Sequence, residues 1–367
     1  MAASNLESAV DPKSATHNAS PAAIEPNSDV DDPSTQVAIR FDKTRVVFLV
    51  SDERSEFNLD EARTKKLHSL GEPVAEYGGG PLFEPDDELL QDQHELFDRA
   101  HAGEEWQLEI SADSKMPVEI KQPVVLEEGC AARVGFLAEV SPPNQAEFAA
   151  SKVQYFLIHK TLIGAPAARD QKPVLIGRLT DWKPTPELRT QIEQLLQARL
   201  KDEAPKVHAQ AVPEYDRTVN GDASWKPWAE QWKAFDEKLA RGEGKLDYDV
   251  QAFQLTPDGA PRLFVRAKWT LDQKPAFLLS AWLRAQPTLV VESLDGRESQ
   301  TMRLTIFSDA GLDLDALGTI LNVFDPSHTG RAELLIYNPG YESFDLHLFR
   351  YTNAGPVATA VSLSGGC

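Results

Sequence analysis

From residue 44 onward the apolar positions come in short runs, many of them β-branched, and each run ends at Pro, Gly, Asp or Ser. Thr44–Val50 is such a run, closed by Ser51-Asp52, and its pattern predicts a strand. Trp106–Ile110, Val118–Ile120, Val124–Leu126, Arg133–Val140, Val153–Ile158 and Val174–Leu179 repeat the pattern. Short strands separated by turn residues predict a mainly antiparallel sheet or sandwich, with ordered structure starting near Val37. The period lengthens in three places. Over Asp86–Ala102, Leu89, Leu90, Leu96 and Phe97 recur at helical spacing, behind acidic residues that suit a helix start and before Gly103. Thr185-Pro186-Glu187 supplies a cap, a proline at the first helical position and an acid, and Leu188, Ile192, Leu195 and Arg199 then share one face. A further amphipathic helix is predicted from about Ser224 to Arg241, with Trp225, Trp228, Trp232, Phe235 and Leu239 in a row and Gly242 as its stop.

The last third of the chain repeats itself. Phe253–Val265 is echoed by Phe324–Ile336: with Gly259 placed on Gly330, Leu263, Phe264 and Val265 fall on Leu334, Leu335 and Ile336. A second apolar stretch follows each copy, at Phe277–Arg284 and Phe344–Tyr351. One turn-and-strand unit used twice is strong evidence about architecture.

The second copy carries Asp325-Pro-Ser-His-Thr-Gly-Arg-Ala-Glu333, with oxygen-bearing side chains at alternate positions, then glycine, then an acid. Asp325, Ser327, Thr329 and Glu333 are therefore candidate ligands for a hard cation such as calcium. The loop resembles the Asp-x-Asp-x-Asp-Gly-x-x-Asp/Glu loop of FG-GAP and related VCBS repeats. That resemblance implies propeller-like β modules in an exported protein, with calcium held in the loop. It departs from the family where Ser327 and Thr329 replace carboxylates and where the first copy places Arg262, a cation, at the matching position. A tight turn, in which Gly259 or Gly330 supplies a positive φ, is the alternative account of both loops.

Composition narrows the function. Of 367 residues, 41% are apolar and 26% charged, as in ordinary globular proteins, and no apolar run is long enough to span a membrane. The net charge of −20 opposes phosphate backbones, so nucleic acid is not an expected partner. Residues 1–38, rich in Ala, Ser, Pro, Asn and Asp, are expected to form a disordered tail. The start Met1–Glu7 lacks the basic and apolar regions of a secretory signal. If Met1 replaces a removed leader the protein belongs in the periplasm or outside the cell; otherwise it is cytoplasmic. Cys130 and Cys367 can form one bridge or remain two thiols.

Other constellations are weak. His94 and His101 stand two helical turns apart, too far to share a zinc ion, and Tyr77–Pro81 lacks the Gly-Lys-Ser/Thr of a phosphate loop. Trp225, Trp228 and Trp232 form either a sugar-stacking platform or the core side of their helix. Asp309, Asp313 and Asp315 are solvated acids or further ligands beside Asp325. No cofactor other than calcium is suggested.

These observations predict a β-rich α+β protein. It would have a tail (1–38), an antiparallel strand-rich domain (39–182), two amphipathic helices (183–245) and a C-terminal antiparallel module of two related β repeats (246–367). The expected function is non-enzymatic, binding a protein or glycan or serving a structural role in the cell envelope. The alternative is a hydrolase, with carbohydrate as the candidate substrate, whose carboxylates converge only in three dimensions.

Overall fold

A computed structural model describes residues 35–76, 80–128, 131–160, 176–218, 233–234, 236–256, 260–271, 274–285, 289–292, 302–304, 317–325, 332–339, 343–352 and 355–366. The protein is β-rich α+β, and its described sheet pairings are antiparallel. The first nine strands are β1 (Gln36–Arg40), β2 (Arg45–Leu49), β3 (Glu56–Phe57), β4 (His68–Gly71), β5 (Leu82–Glu84), β6 (Glu105–Ser111), β7 (Ser114–Glu128), β8 (Ala131–Val140) and β9 (Tyr155–Lys160). Among them stand four short helices, α1 (Glu61–Thr64), α2 (Asp87–Asp92), α3 (His94–Phe97) and α4 (Gln145–Ala150).

Six of these strands close on themselves. β1 pairs with β2, β2 with β8, β8 with β7, β7 with β6, β6 with β9, and β9 with β1 again. The open sheet or sandwich expected from the pattern is therefore a closed barrel, which leaves no edge in the ring. Alternation along the strands sends Val46 and Phe48, Leu108 and Ile110, Val134 and Phe136, and Phe156 and Ile158 into one interior cluster. There Phe48 stacks on Trp106 at 5.0 Å and on Phe136 at 5.3 Å. Gly135 allows the tight passage of β2 past β8: a Cβ on it would meet the Phe48 carbonyl oxygen at 2.5 Å.

The segments Val118–Ile120 and Val124–Leu126 belong to one strand, not two. A register shift between Ile120 and Gln122 reverses the alternation of β7, so Val118 and Ile120 point inward while Val124 and Leu126 join the outer cluster. The helix expected over Asp86–Ala102 is also divided, because Gln93 leaves helical dihedrals and α3 restarts from its carbonyl. Leu89, Leu96, Phe97 and Ala100 are all buried in the barrel's core cluster, and this tertiary burial holds turns too short to be stable alone.

The remaining elements stack outside the barrel. β10 (Gly177–Arg178), β11 (Lys245–Gln254), β12 (Arg262–Leu271), β13 (Lys274–Arg284), β14 (Val290–Glu292) and β15 (Met302–Leu304) form one sheet, with helix α5 (Pro186–Thr218) between β10 and β11 in the chain. β16 (Thr319–Phe324), β17 (Glu333–Pro339), β18 (Ser343–Thr352) and β19 (Gly355–Gly366) form another. The β16–β19 sheet lies in the middle. One face puts Phe324, Leu335, Leu346 and Leu348 against Val37, Ile39, Val47 and Leu157 on the barrel wall. Its other face puts Val323, Leu334, Ile336 and Tyr351 against Phe253, Phe264 and Trp282 of the β10–β15 sheet. That sheet in turn covers Ile192 and Leu196 of α5 with Leu263, Val265 and Leu283. The consecutive apolar triplets at 263–265 and 334–336 follow from this stacking, since strands buried on both faces need apolar side chains at every position.

β11–β14 and β16–β19 are two four-strand meanders of the same connectivity. Their first hairpins close at equivalent pairs, Phe253 opposite Arg262 and Phe324 opposite Glu333. The turns holding Gly259 and Gly330 lie outside the described residues. Helix α5 starts at the predicted cap, where the Leu188 N–H donates to Thr185 Oγ1 at 3.3 Å, and it runs much further than the sequence suggested, through Pro205 to Thr218. Leu200 and Ala204, packed with Leu239 and Trp269, anchor the start of that extension. Of the second predicted helix, residues 233–234 and 236–240 are helical, and the segment ends at Gly242 with φ of 78°, as the stop signal implied.

Candidate functional site

The hairpin ends of the two meanders and the adjoining barrel wall hold a band of buried charge. Arg262 is 1% exposed, Glu333 2%, Asp325 6% and Glu109 0%. Ionised groups in such places need counter-ions or hydrogen bonds, because desolvation costs several kcal/mol per ion. The strands supply them. Alternation from Leu335 and Leu348 puts Glu333 and Arg350 on the face toward the barrel, directly opposite one another, and Arg350 Nε donates to Glu333 Oε1 at 3.2 Å. On the barrel wall, Glu109 lies between the inward-facing Leu108 and Ile110 and therefore points outward, opposite Lys115 of β7.

Lys115 Nζ lies 2.5 Å from Glu109 Oε1, close enough for a strong ion pair. Burial pushes the Glu109 carboxyl above its ordinary range; Lys115 opposes the shift and the negative charge of Asp325 adds to it. Next to this pair Asn322, at a register shift in β16, reaches across the interface. Its Nδ2 donates to the carbonyls of Ile110 at 2.7 Å and Tyr155 at 3.2 Å, while its Oδ1 accepts from the Val323 N–H.

On the opposite face of the middle sheet, arginines of β12 do the corresponding work. Arg266 donates to Asp249 Oδ2 at 3.1 Å and to the Gly318 carbonyl at 3.3 Å, joining the two meanders. Arg262 donates Nη1 to the Ala260 carbonyl at 3.0 Å, and its guanidinium carbon stands 5.8 Å from the centre of the Tyr351 ring. Arg284 pairs across the strands with Arg262.

Of the proposed calcium ligands, the structure brings Asp325 and Glu333 to the two ends of one hairpin loop, both buried, with Glu333 in an ion pair with Arg350. Ser327 and Thr329 lie outside the described residues, as do Trp225, Trp228 and Trp232, Asp309, Asp313 and Asp315, and both cysteines. No group of three or more metal-ligating side chains occurs among the described residues. His94 begins α3 and accepts or donates only locally, with Nδ1 3.1 Å from the Gln91 carbonyl.

Glu109, Lys115, Arg284 and Arg350 were not singled out from the sequence. A signal existed for two of them: Arg284 and Arg350 are the arginines near the end of the second apolar stretch of each repeat. For Glu109 and Lys115 the partner surface is more than 200 residues away in the chain, and their local pattern is that of any strand with a solvated face. Comparison with family models, with curated proteins and with solved structures gave no match to this chain. No helix among the described residues is long and apolar enough to cross a membrane.

Proposed function

We propose that the chain is a non-catalytic, exported module that binds a protein or glycan or serves a structural role in the cell envelope. The observation that supports this reading is the use made of the buried charges. Glu333 with Arg350, Arg266 with Asp249 and Gly318, and Asn322 with Ile110 and Tyr155 tie strands and layers to one another. Groups held in this way fix the relative position of the barrel and the two meanders. Export is argued from the composition of residues 1–38 and from the resemblance to FG-GAP and VCBS repeats.

One observation favours the hydrolase alternative. Glu109 has a carboxyl raised by burial, and Asp325 is near enough to interact with it electrostatically, so two carboxyl groups share one neighbourhood. Against it, Glu109 is 0% exposed, so a substrate atom has no path to it in this conformation. Turnover separates the two readings. The full chain should hydrolyse none of a panel of chromogenic glycosides, esters and peptides, whereas turnover that disappears in Glu109→Gln sinks the non-catalytic reading. Fractionation of native cells tests the compartment: recovery in the envelope or medium is expected, and recovery with cytoplasmic markers overturns export.

A further inference from the structure

A strand at the edge of a sheet offers a row of unpaired backbone N–H and C=O groups, and natural proteins guard such edges with short strands or bulges. Most edges here are guarded in one of these ways. β3 and β10 have two residues, β14 and β15 have three, and β4, β16 and β19 each carry a register shift in the pairing with their neighbour. β11 has neither guard. It pairs with β12 without a shift from Lys245 opposite Thr270 to Phe253 opposite Arg262, and Lys245–Gln251 contains no proline or glycine. On its other side β10 pairs only with Phe253 and Gln254, so Lys245–Gln251 has no neighbouring strand there among the described residues.

The direction of the open backbone groups follows from one hydrogen bond. The Leu179 N–H donates to the Ala252 carbonyl at 2.8 Å, on the side away from β12. In an antiparallel ladder the N–H and C=O of one residue face the same side and successive residues alternate. Leu246, Tyr248 and Val250 therefore turn their backbone groups outward, while Asp247, Asp249 and Gln251 bond to β12. The side chains alternate as well. Leu246, Tyr248 and Val250 are half-buried on the face covered by α5, where the Tyr248 hydroxyl donates to Glu193 Oε1 at 3.0 Å. Asp247 and Asp249 lie on the other face, their side chains 43% and 42% exposed.

These two acids select the occupant. Two copies of β11 paired antiparallel about Tyr248 would set Asp247 opposite Asp249, and like charges directly opposed destabilise a sheet. A strand with cations at those positions is attracted instead, and the net charge of −20 draws a basic segment from a distance. We infer that the Lys245–Gln251 edge docks an extended, basic segment of another protein as an added strand, with lysine or arginine opposite Asp247 and Asp249 and apolar side chains opposite Leu246, Tyr248 and Val250. Main-chain hydrogen bonds supply the affinity in this mode and the alternating side chains the selection. The site does not rest on the proposed non-catalytic role: its failure leaves a glycan-binding or structural chain standing, and turnover in the hydrolysis assays leaves this edge untouched.

Amide hydrogen exchange on the full chain tests it, read at single residues by mass spectrometry, with and without the blocked peptide Thr-Val-Lys-Val-Lys-Val-Thr. That sequence reads alike from both ends, so it serves a parallel or an antiparallel strand. In the free chain the amides of Leu246, Tyr248 and Val250 should exchange at least about tenfold faster than those of Asp247, Asp249 and Gln251, and millimolar peptide should slow them about tenfold. Glutamate in place of both lysines should weaken binding about tenfold or more, because two attractive cross-strand pairs become repulsive. Asp247→Lys, at an exposed position, should melt with wild type and bind the lysine peptide more weakly than wild type does. Amides at 246, 248 and 250 already as protected as their neighbours in the free chain show an edge that is covered and overturn the site. A dimer in sedimentation velocity that protects these same amides gives the edge to a second copy and also overturns it. So do exchange rates unmoved by the lysine peptide, equal binding of the glutamate peptide, and unchanged binding by Asp247→Lys.

Discussion

Arg350→Met is the most direct probe of what holds the middle sheet to the barrel. The change keeps the length and apolar stem of the side chain and removes its charge, leaving Glu333 at 2% exposure without its guanidinium. At the observed 3.2 Å separation the gross attraction is about 5 kcal/mol for an effective dielectric constant of about 20, and desolvation of both groups offsets much of it. The cost of the single substitution is set less by the lost attraction than by the carboxylate left behind, which gives about 3 kcal/mol. Arg350→Met combined with Glu333→Gln removes both charges and should recover most of that loss, to within about 1 kcal/mol of wild type, since neutral groups of similar size replace the pair. Urea unfolding followed by tryptophan fluorescence reads both values, and Glu333→Gln alone completes the cycle. A single substitution that costs under about 0.5 kcal/mol would falsify the argument that Glu333 depends on Arg350, and so would a double variant as unstable as the single.

Four further outcomes follow from the structure. Glu109 has a folded-state carboxyl above its ordinary value, so the native chain holds this proton more tightly than the unfolded chain, and its contribution to stability is lost as pH rises through the folded pKa. The stability of Glu109→Gln relative to wild type should therefore increase between pH 4 and pH 8, and a decrease refutes the assignment. Asp52 behaves oppositely: its carboxyl is held well below the usual range by hydrogen bonds from the Arg54 side chain and backbone and by the charge of Arg99. Asp52→Asn should cost about 1 kcal/mol at pH 7, and the difference should vanish as pH falls through the depressed pKa; a loss that persists at low pH points to a different cause. Gly135→Ala should destabilise the barrel by about 1–3 kcal/mol, because the new Cβ meets the Phe48 carbonyl and backbone must move; circular-dichroism melts check this. Calcium titrated to millimolar concentration should give neither heat nor a thermal shift, because Arg350 already occupies the Glu333 carboxylate; saturable binding lost in Asp325→Asn contradicts this.

Much of the architecture could be read locally. Thr44–Val50 and Arg133–Val140 are short apolar runs bounded by turn residues, enough to be recognised as strands, and the Thr185 cap and Gly242 stop mark true helix ends. Matching Gly259 to Gly330 located the two first hairpins, because turn chemistry and the flanking apolar triplets are properties of a few neighbouring residues. Boundaries failed where a distant surface decided them. The continuity of β7 through Pro117 and Pro123 depends on pairing with β6 and β8, and the length of α5 beyond its predicted face depends on burial against Trp269 and Leu239.

The site divides in the same way. Asp325 and Glu333 drew attention as oxygen-bearing positions in a loop, and both do lie in the buried band of charge. Sequence spacing alone determined that they would be near each other, since a hairpin brings its own ends together. Only the tertiary structure decided what they face: Arg350 from the next strand, Glu109 and Lys115 from the barrel wall. It likewise opposed Arg262 to Arg284 beside Tyr351. The reason is physical. Hydrophobic period and turn chemistry act over a few residues, whereas the charge of a buried group is balanced by whatever the packing of whole layers brings against it, at separations along the chain that no local pattern records.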